Sequence, residues 1–125
     1  MTSRLSGLRV LLVEDEMLVC MDIADMLEGF GCTVVGPAAR VAQAFAILDA
    51  ENVDVALLDV NLGREKSYPI VDRLSEKGTP VLLSTGYAEL DPPYDRCPRV
   101  QKPYSRDHLA RSLEKVLVQT GPAGT

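Results

Sequence analysis

Short runs of β-branched and leucine residues alternate along this chain with stretches of helical period. That alternation is the signature of a parallel sheet covered by helices on both faces. It predicts strands near 9–13, 33–36, 53–58, 80–84 and 99–101. The runs lack internal apolar–polar alternation, as strands buried on both sides should.

Helices are expected at about 16–28, 41–50, 68–76 and 105–119. In the first, Asp22 and Asp25 define a narrow wet stripe on an otherwise apolar segment. In the second, Val41, Ala44, Phe45 and Leu48 share one face. Ser67 is placed to cap the third, Pro69 is tolerated in its first turn, and Gly78 ends it. The last has Ser105 as N-cap and Asp107 at the positive helix start, with Leu109, Leu113, Val116 and Leu117 facing inward. A further helix belongs between the last two strands, but Asp91-Pro92-Pro93 would break it. A loop or a shortened helix is expected there. Residues 120–125 read as a tail, and no repeat, linker or second domain is evident.

Polar residues stand where the hydrophobic runs stop. Glu14 and Asp15 follow the first run, Asp59 the third, Thr85 the fourth and Lys102-Pro103 the fifth. If the runs are parallel strands, all of these residues meet at the carboxyl edge of the sheet, where open α/β folds place ligand sites. Each has a plainer explanation: an acid pair often caps a helix, an aspartate or a Thr-Gly often makes a turn. Their joint occurrence, in order, at four strand ends is what points to chemistry. Three acids, a hydroxyl and a lysine suggest Mg2+-dependent phosphoryl transfer. Donor and acceptor are both anionic there, so a hard cation with oxygen ligands must bridge them. In this reading Asp15 is a direct metal ligand and Glu14 acts through water or as a supporting carboxylate. Asp59 is both ligand and nucleophile, and the carbonyl oxygen of Asn61 supplies a further ligand. Lys102 would neutralise a phosphoryl oxygen and the Thr85 hydroxyl would donate to another.

Composition narrows the choice. The 125 residues suffice for one domain with a normal core, and 46% hydrophobic with 25% charged is ordinary for a globular chain. A net charge of -5 opposes general nucleic-acid affinity. No apolar run approaches the roughly 20 residues that span a bilayer. Residues 1–7 lack the apolar stretch of a signal peptide, so a cytoplasmic protein is expected. Cys20, Cys32 and Cys97 are scattered and odd in number, which fits reduced thiols rather than zinc ligands. His108 reads as a surface residue early in the last helix.

The motifs Val-Leu-Leu-Val-Glu14-Asp15-Glu, Ala-Leu-Leu-Asp59-Val-Asn61-Leu, Leu-Ser-Thr85-Gly86-Tyr87 and Gln-Lys102-Pro103-Tyr104 resemble those of the receiver domain of bacterial two-component response regulators. The resemblance spans about residues 8–118 of a single receiver domain, 1–125. It implies a flavodoxin-like (βα)5 fold, a doubly wound five-stranded parallel sheet of order 2-1-3-4-5. It also implies that Asp59 takes phosphate from a sensor histidine kinase or a histidine phosphotransfer protein, with Mg2+ required. The site would promote its own phosphorylation and dephosphorylation without being a turnover enzyme. The Thr-Gly-Tyr sequence and the shortened fourth helix look like a single-domain subgroup found in alphaproteobacteria.

Two positions depart from the family pattern. Receivers commonly carry a proline four residues after the acceptor, where this chain has Gly63. Many carry an aromatic switch residue three before the lysine, where this chain has Arg99. The usual coupling to the output face therefore lacks its residue, and Tyr87 is an alternative aromatic. With no DNA-binding segment recognised, output is expected through a downstream target protein or by onward phosphotransfer, with no nucleic acid and no membrane involved. Exposed apolar residues on the first helix, Met17 or Cys20, are candidates for docking the kinase. The competing reading is a pseudo-receiver that serves only as an interaction module. A haloacid-type phosphatase is poorly supported, because Asp59-Val-Asn61 lacks the second aspartate of such sites.

Overall fold

The computed structural model describes residues 4–86 and 90–120. In chain order the elements are β1 (Arg9–Val13), α1 (Met17–Gly29), β2 (Thr33–Ala38), α2 (Val41–Ala50), β3 (Val55–Asp59), β4 (Asn61–Leu62) and β5 (Glu65–Lys66). They continue with α3 (Tyr68–Glu76), β6 (Val81–Thr85), β7 (Arg99–Gln101) and α4 (Arg106–Thr120). Five parallel strands make the main sheet in the order β2-β1-β3-β6-β7. Counted among themselves, these five have the expected order 2-1-3-4-5. β4 and β5 form a separate antiparallel ribbon that the strand pattern did not predict.

Burial on both faces follows from the side-chain period of a strand. Leu11 and Val13 of β1, Ala56 and Leu58 of β3 and Leu83 of β6 pack with Ala44 and Leu48 of α2 and with Ile70, Val71 and Leu74 of α3. Their neighbours Val10, Leu12, Val55, Leu57 and Leu82 pack on the other side. There they meet Cys20, Ile23 and Leu27 of α1 and Leu109, Leu113 and Val116 of α4. With both faces covered, no polar residue is needed inside a strand.

The helix ends are set by specific hydrogen bonds. α1 and α3 both stop in Schellman motifs, with Gly31 at φ +90° and Gly78 at φ +72°. Cys32 N–H bonds Leu27 O at 3.0 Å and Thr79 N–H bonds Leu74 O at 2.9 Å, satisfying carbonyls the helices leave open. At the start of α4 the Ser105 hydroxyl accepts from His108 N–H at 3.0 Å, as the sequence suggested. Ser67 does not cap α3: its hydroxyl is fully buried with no hydrogen-bond partner. The first N–H of α2 is met from a distance in sequence, since the Glu65 carboxylate accepts from Val41 N–H at 3.2 Å.

Among the described residues, the connection from β6 to β7 contains only a 3-10 turn, Tyr94–Arg96, in place of a helix. Pro92 and Pro93 explain this, because neither can donate a helical hydrogen bond. The connection is tied to α3 instead. The rings of Tyr68 and Tyr94 stack with centroids 4.0 Å apart and planes 6° from parallel. Tyr94 Oη donates to the Asp72 carboxylate at 3.0 Å, and Asp91 N–H bonds Tyr68 Oη at 3.1 Å. Tyr87 and residues 121–125 lie outside the described residues. No described helix is long and apolar enough to cross a membrane.

Candidate functional site

The parallel sheet delivers its strand-end residues to one edge. Glu14 and Asp15 follow β1, Asp59 closes β3, Thr85 closes β6 and Lys102 follows β7. β1 and β3 are neighbours, as are β3 and β6, and β6 and β7. Carboxylate oxygens of Glu14, Asp15 and Asp59 all lie within 4.8 Å of one another. Lys102 Nζ donates to Glu14 Oε1 at 2.9 Å and stands 3.4 Å from Asp59 Oδ1. The lysine backbone is also fixed, since its N–H bonds Thr85 O at 2.7 Å. The Lys102-Pro103 peptide is cis.

Burial grades these acids. Glu14 is 3% exposed and Asp59 8%, whereas Asp15 faces solvent. Burial, and then the Glu14 carboxylate, push Asp59 up to about 7, with the Lys102 ammonium pulling the other way. Burial alone would lower the Lys102 ammonium. Its hydrogen bond to Glu14 and the charge of Asp59 outweigh that, and its pKa is raised. Three carboxylates against one ammonium make a pocket short of positive charge. The donor set is all oxygen, without sulfur or imidazole, and its charge suits a hard divalent cation such as Mg2+. Glu14, Asp15 and Asp59 are the residues placed to hold it.

Thr85 is buried at the end of β6, so its chain position is the expected one. Asn61 lies in the β4–β5 ribbon just past Asp59, and its side-chain oxygen accepts from Lys66 Nζ at 2.6 Å rather than joining the acids. The sequence reading did not single out Lys66. Gly63 opens the turn of this ribbon at φ +66°, and a Cβ there would lie 3.9 Å from Asp15 Oδ2. The ribbon tip thus stands beside the exposed acid. Two residues, Gly63-Arg64, between paired segments were the available signal for a hairpin. Tyr104 was also passed over: its hydroxyl lies 3.5 Å from that of Ser84, next to Thr85.

On α1, Met17, Leu18 and Met21 are 75%, 81% and 61% exposed. Cys20, expected as a docking residue with Met17, is instead buried in the core between α1 and the sheet. It falls on the inward face with Ile23 and Leu27, at helical spacing. All three cysteines are free, and burial raises the pKa of each, Cys32 to about 11. They are thiols rather than nucleophilic thiolates.

Residues 10–95 match the family described as the response regulator receiver domain. The chain is 30% identical over 84 residues to the transcriptional regulatory protein PdtaR of Mycobacterium tuberculosis, covering 66% of this chain and 41% of that protein. It is 31% identical over 83 residues to the phyllosphere-induced regulator PhyR of Methylorubrum extorquens, covering 64% and 31%. The chain therefore spans less than half the length of these curated relatives. Among solved structures, SdrG from Sphingomonas melonis Fr1 superposes with a TM-score of 0.80 at 37% identity, covering 89% of this chain and 97% of that one. PhyR from Brucella abortus superposes at 0.79 with 27% identity, covering 90% and 49%.

Proposed function

The chain belongs to the response regulator receiver domain family of two-component systems, and on that premise we propose that Asp59 accepts a phosphoryl group from a phosphohistidine protein. The observation that carries this reading is the convergence of Asp59, Glu14 and Asp15 within 4.8 Å, with Lys102 Nζ reaching Glu14 and Asp59. In the transfer, Asp59 Oδ forms the new bond to phosphorus while the bond from phosphorus to the donor imidazole nitrogen breaks. The imidazole keeps that electron pair and takes a proton from solvent. Mg2+, held by the three carboxylates, would neutralise the charge that otherwise keeps two anions apart. Lys102 pairs with a phosphoryl oxygen, and the Thr85 hydroxyl donates to another. Asn61 stands next to Asp59 in the chain, so its carbonyl oxygen is the fourth candidate ligand. The reaction is self-catalysed and stoichiometric, so the chain is not a turnover enzyme.

The phosphodonor is a sensor histidine kinase or a histidine phosphotransfer protein. It would approach over Met17, Leu18 and Met21, which are too exposed to serve the core and flank the acidic edge. The state of the pocket would then be read by a downstream protein in the cytoplasm, where free thiols persist.

Intact mass after incubation with acetyl phosphate tests the chemistry, with and without Mg2+, in wild type and Asp59→Asn. The expected result is a Mg2+-dependent gain of one phosphoryl group in wild type only. Persistence of the gain in the mutant would move the acceptor elsewhere. No gain from acetyl phosphate or from a phosphohistidine protein would leave a pseudo-receiver.

A further inference from the structure

A second feature stands apart from the acidic edge and is of opposite charge. Between the start of β7 and α4 runs a groove of about 350 Å³, lined by Arg96, Arg99, His108 and Lys115 and floored by Leu82 and Val116. No carboxylate lines it, although the chain holds 18 acidic residues against 13 basic ones. Among the described residues, Arg96, Arg99 and Lys115 form no salt bridge, while Arg9, Arg73 and Lys102 do. His108 and Lys115 share a stripe of α4 at helical spacing, and Arg96 and Arg99 face them from the chain leading into β7. In the sheet β7 has a neighbour on one side only, so its outer edge borders the groove unshared.

We propose that this groove docks a segment of a partner protein that carries carboxylates around an apolar side chain. The charge argues for the carboxylates, because unpaired arginines present a fork that fits them two bonds at a time. The floor argues for a polypeptide over a nucleic acid, because a phosphodiester backbone would leave Leu82 and Val116 uncovered. A net charge of -5 elsewhere on the chain also repels a long polyanion more than a short acidic segment. The proposal stands on the groove alone and holds whether or not Asp59 accepts phosphate.

The test is fluorescence anisotropy of the full chain with a labelled peptide of alternating glutamate and leucine, at about 20 mM and about 200 mM NaCl. A glutamine-for-glutamate peptide and a single-stranded oligothymidylate serve as comparison probes. The proposal expects the glutamate peptide to bind best and to weaken at least about fivefold in the higher salt, where charges are screened beyond about 8 Å. Arg99→Glu and Lys115→Glu, both at exposed positions, should each weaken it by at least about fivefold. Arg64→Glu, on the distant ribbon, should not. Equal binding of the glutamine peptide would overturn the proposal, as would full binding by Arg99→Glu. Tighter binding of the oligonucleotide would assign the groove to nucleic acid. Self-association of wild type, lost in Arg99→Glu by sedimentation, would assign it to a second copy.

Discussion

Asp59→Asn should make the metal-free protein more stable at neutral pH while removing the acceptor. Burial and the neighbouring Glu14 hold the Asp59 carboxyl at about 7 against 3.8 for a free one. At about 1.4 kcal/mol per tenfold change in proton affinity, that difference has a ceiling of about 4 kcal/mol. The sign follows from proton counting. Between pH 4 and 7, roughly, the folded chain keeps a proton on Asp59 that the unfolded chain has released. The associated stability is therefore complete below about pH 4 and is lost as the pH rises through about 7. Asparagine has nearly the shape of the protonated acid and nothing to ionise, so the mutant escapes this loss. Urea unfolding in EDTA, at about pH 4.5 and about pH 8, should show a small difference at the lower pH. At the higher pH the mutant should be ahead by about 2–4 kcal/mol. Mg2+ should then stabilise the wild type selectively, by about 2.7 kcal/mol at a hundredfold excess over its dissociation constant. A mutant that is less stable at the higher pH, or a gap independent of pH, would refute the account of Asp59 as a strained carboxylate.

Three further outcomes are expected. Lys102→Ala removes the partner of Glu14, whose side chain is 1% exposed, and should cost about 2–4 kcal/mol in urea unfolding at neutral pH, less in acid; an unchanged midpoint would mean that water replaces the ammonium. Gly31→Ala and Gly78→Ala both force alanine to positive φ, at about 1 kcal/mol each. A Cβ at Gly31 also meets Ser6 atoms at 3.1–3.3 Å while one at Gly78 meets nothing within 4 Å, so Gly31→Ala should be the more damaging in thermal unfolding. Tyr94→Phe keeps the stack on Tyr68 and loses the Asp72 bond, so it should cost about 0.5–1.5 kcal/mol. Tyr94→Ala should cost more and raise amide exchange in the β6–β7 connection and the start of α3; equal costs for the two would discount the stack.

The fold was readable because its strands obey a simple rule. Leu11 and Leu12 point to opposite faces and both are buried, so an unbroken apolar run is the signature of a strand with helices on each side. Wherever a glycine or serine had one backbone task, as at Gly78 and Ser105, the local reading held. It failed where a local signal lost to a long-range one. Ser67 looks like a cap, but its backbone N–H bonds Val60 O at 2.9 Å and the residue is drawn inside, hydroxyl unsatisfied. Val41 has no neighbouring cap, and its partner Glu65 lies 24 residues away. Cys20 has the right character for a docking surface but the wrong helical phase. The clustering of Glu14, Asp15, Asp59 and Lys102 was legible because parallel strands place all their ends together. The engagement of Asn61 with Lys66 was not, since it depends on a ribbon of two-residue strands.

The missing helix between β6 and β7 has a structural consequence that the strand-end motifs do not carry. A helix there would cover the edge of the sheet with its own apolar face. Here the connection is held by two aromatic rings and a carboxylate from α3, so its contacts are few and mostly at the surface. That tie joins the element after Asp59 to the segment after Thr85, the two places a phosphoryl group on Asp59 would disturb. It also leaves Arg96 and Arg99 free of the cover a helix would give, which is why the basic groove is open to solvent. A shift of the Thr85 end could thus reach the groove through a segment of nine described residues, Leu90 to Pro98, anchored at Tyr94 and ending where β7 begins. Such a segment has little packing of its own to resist the movement, in contrast to a three-turn helix seated on the core.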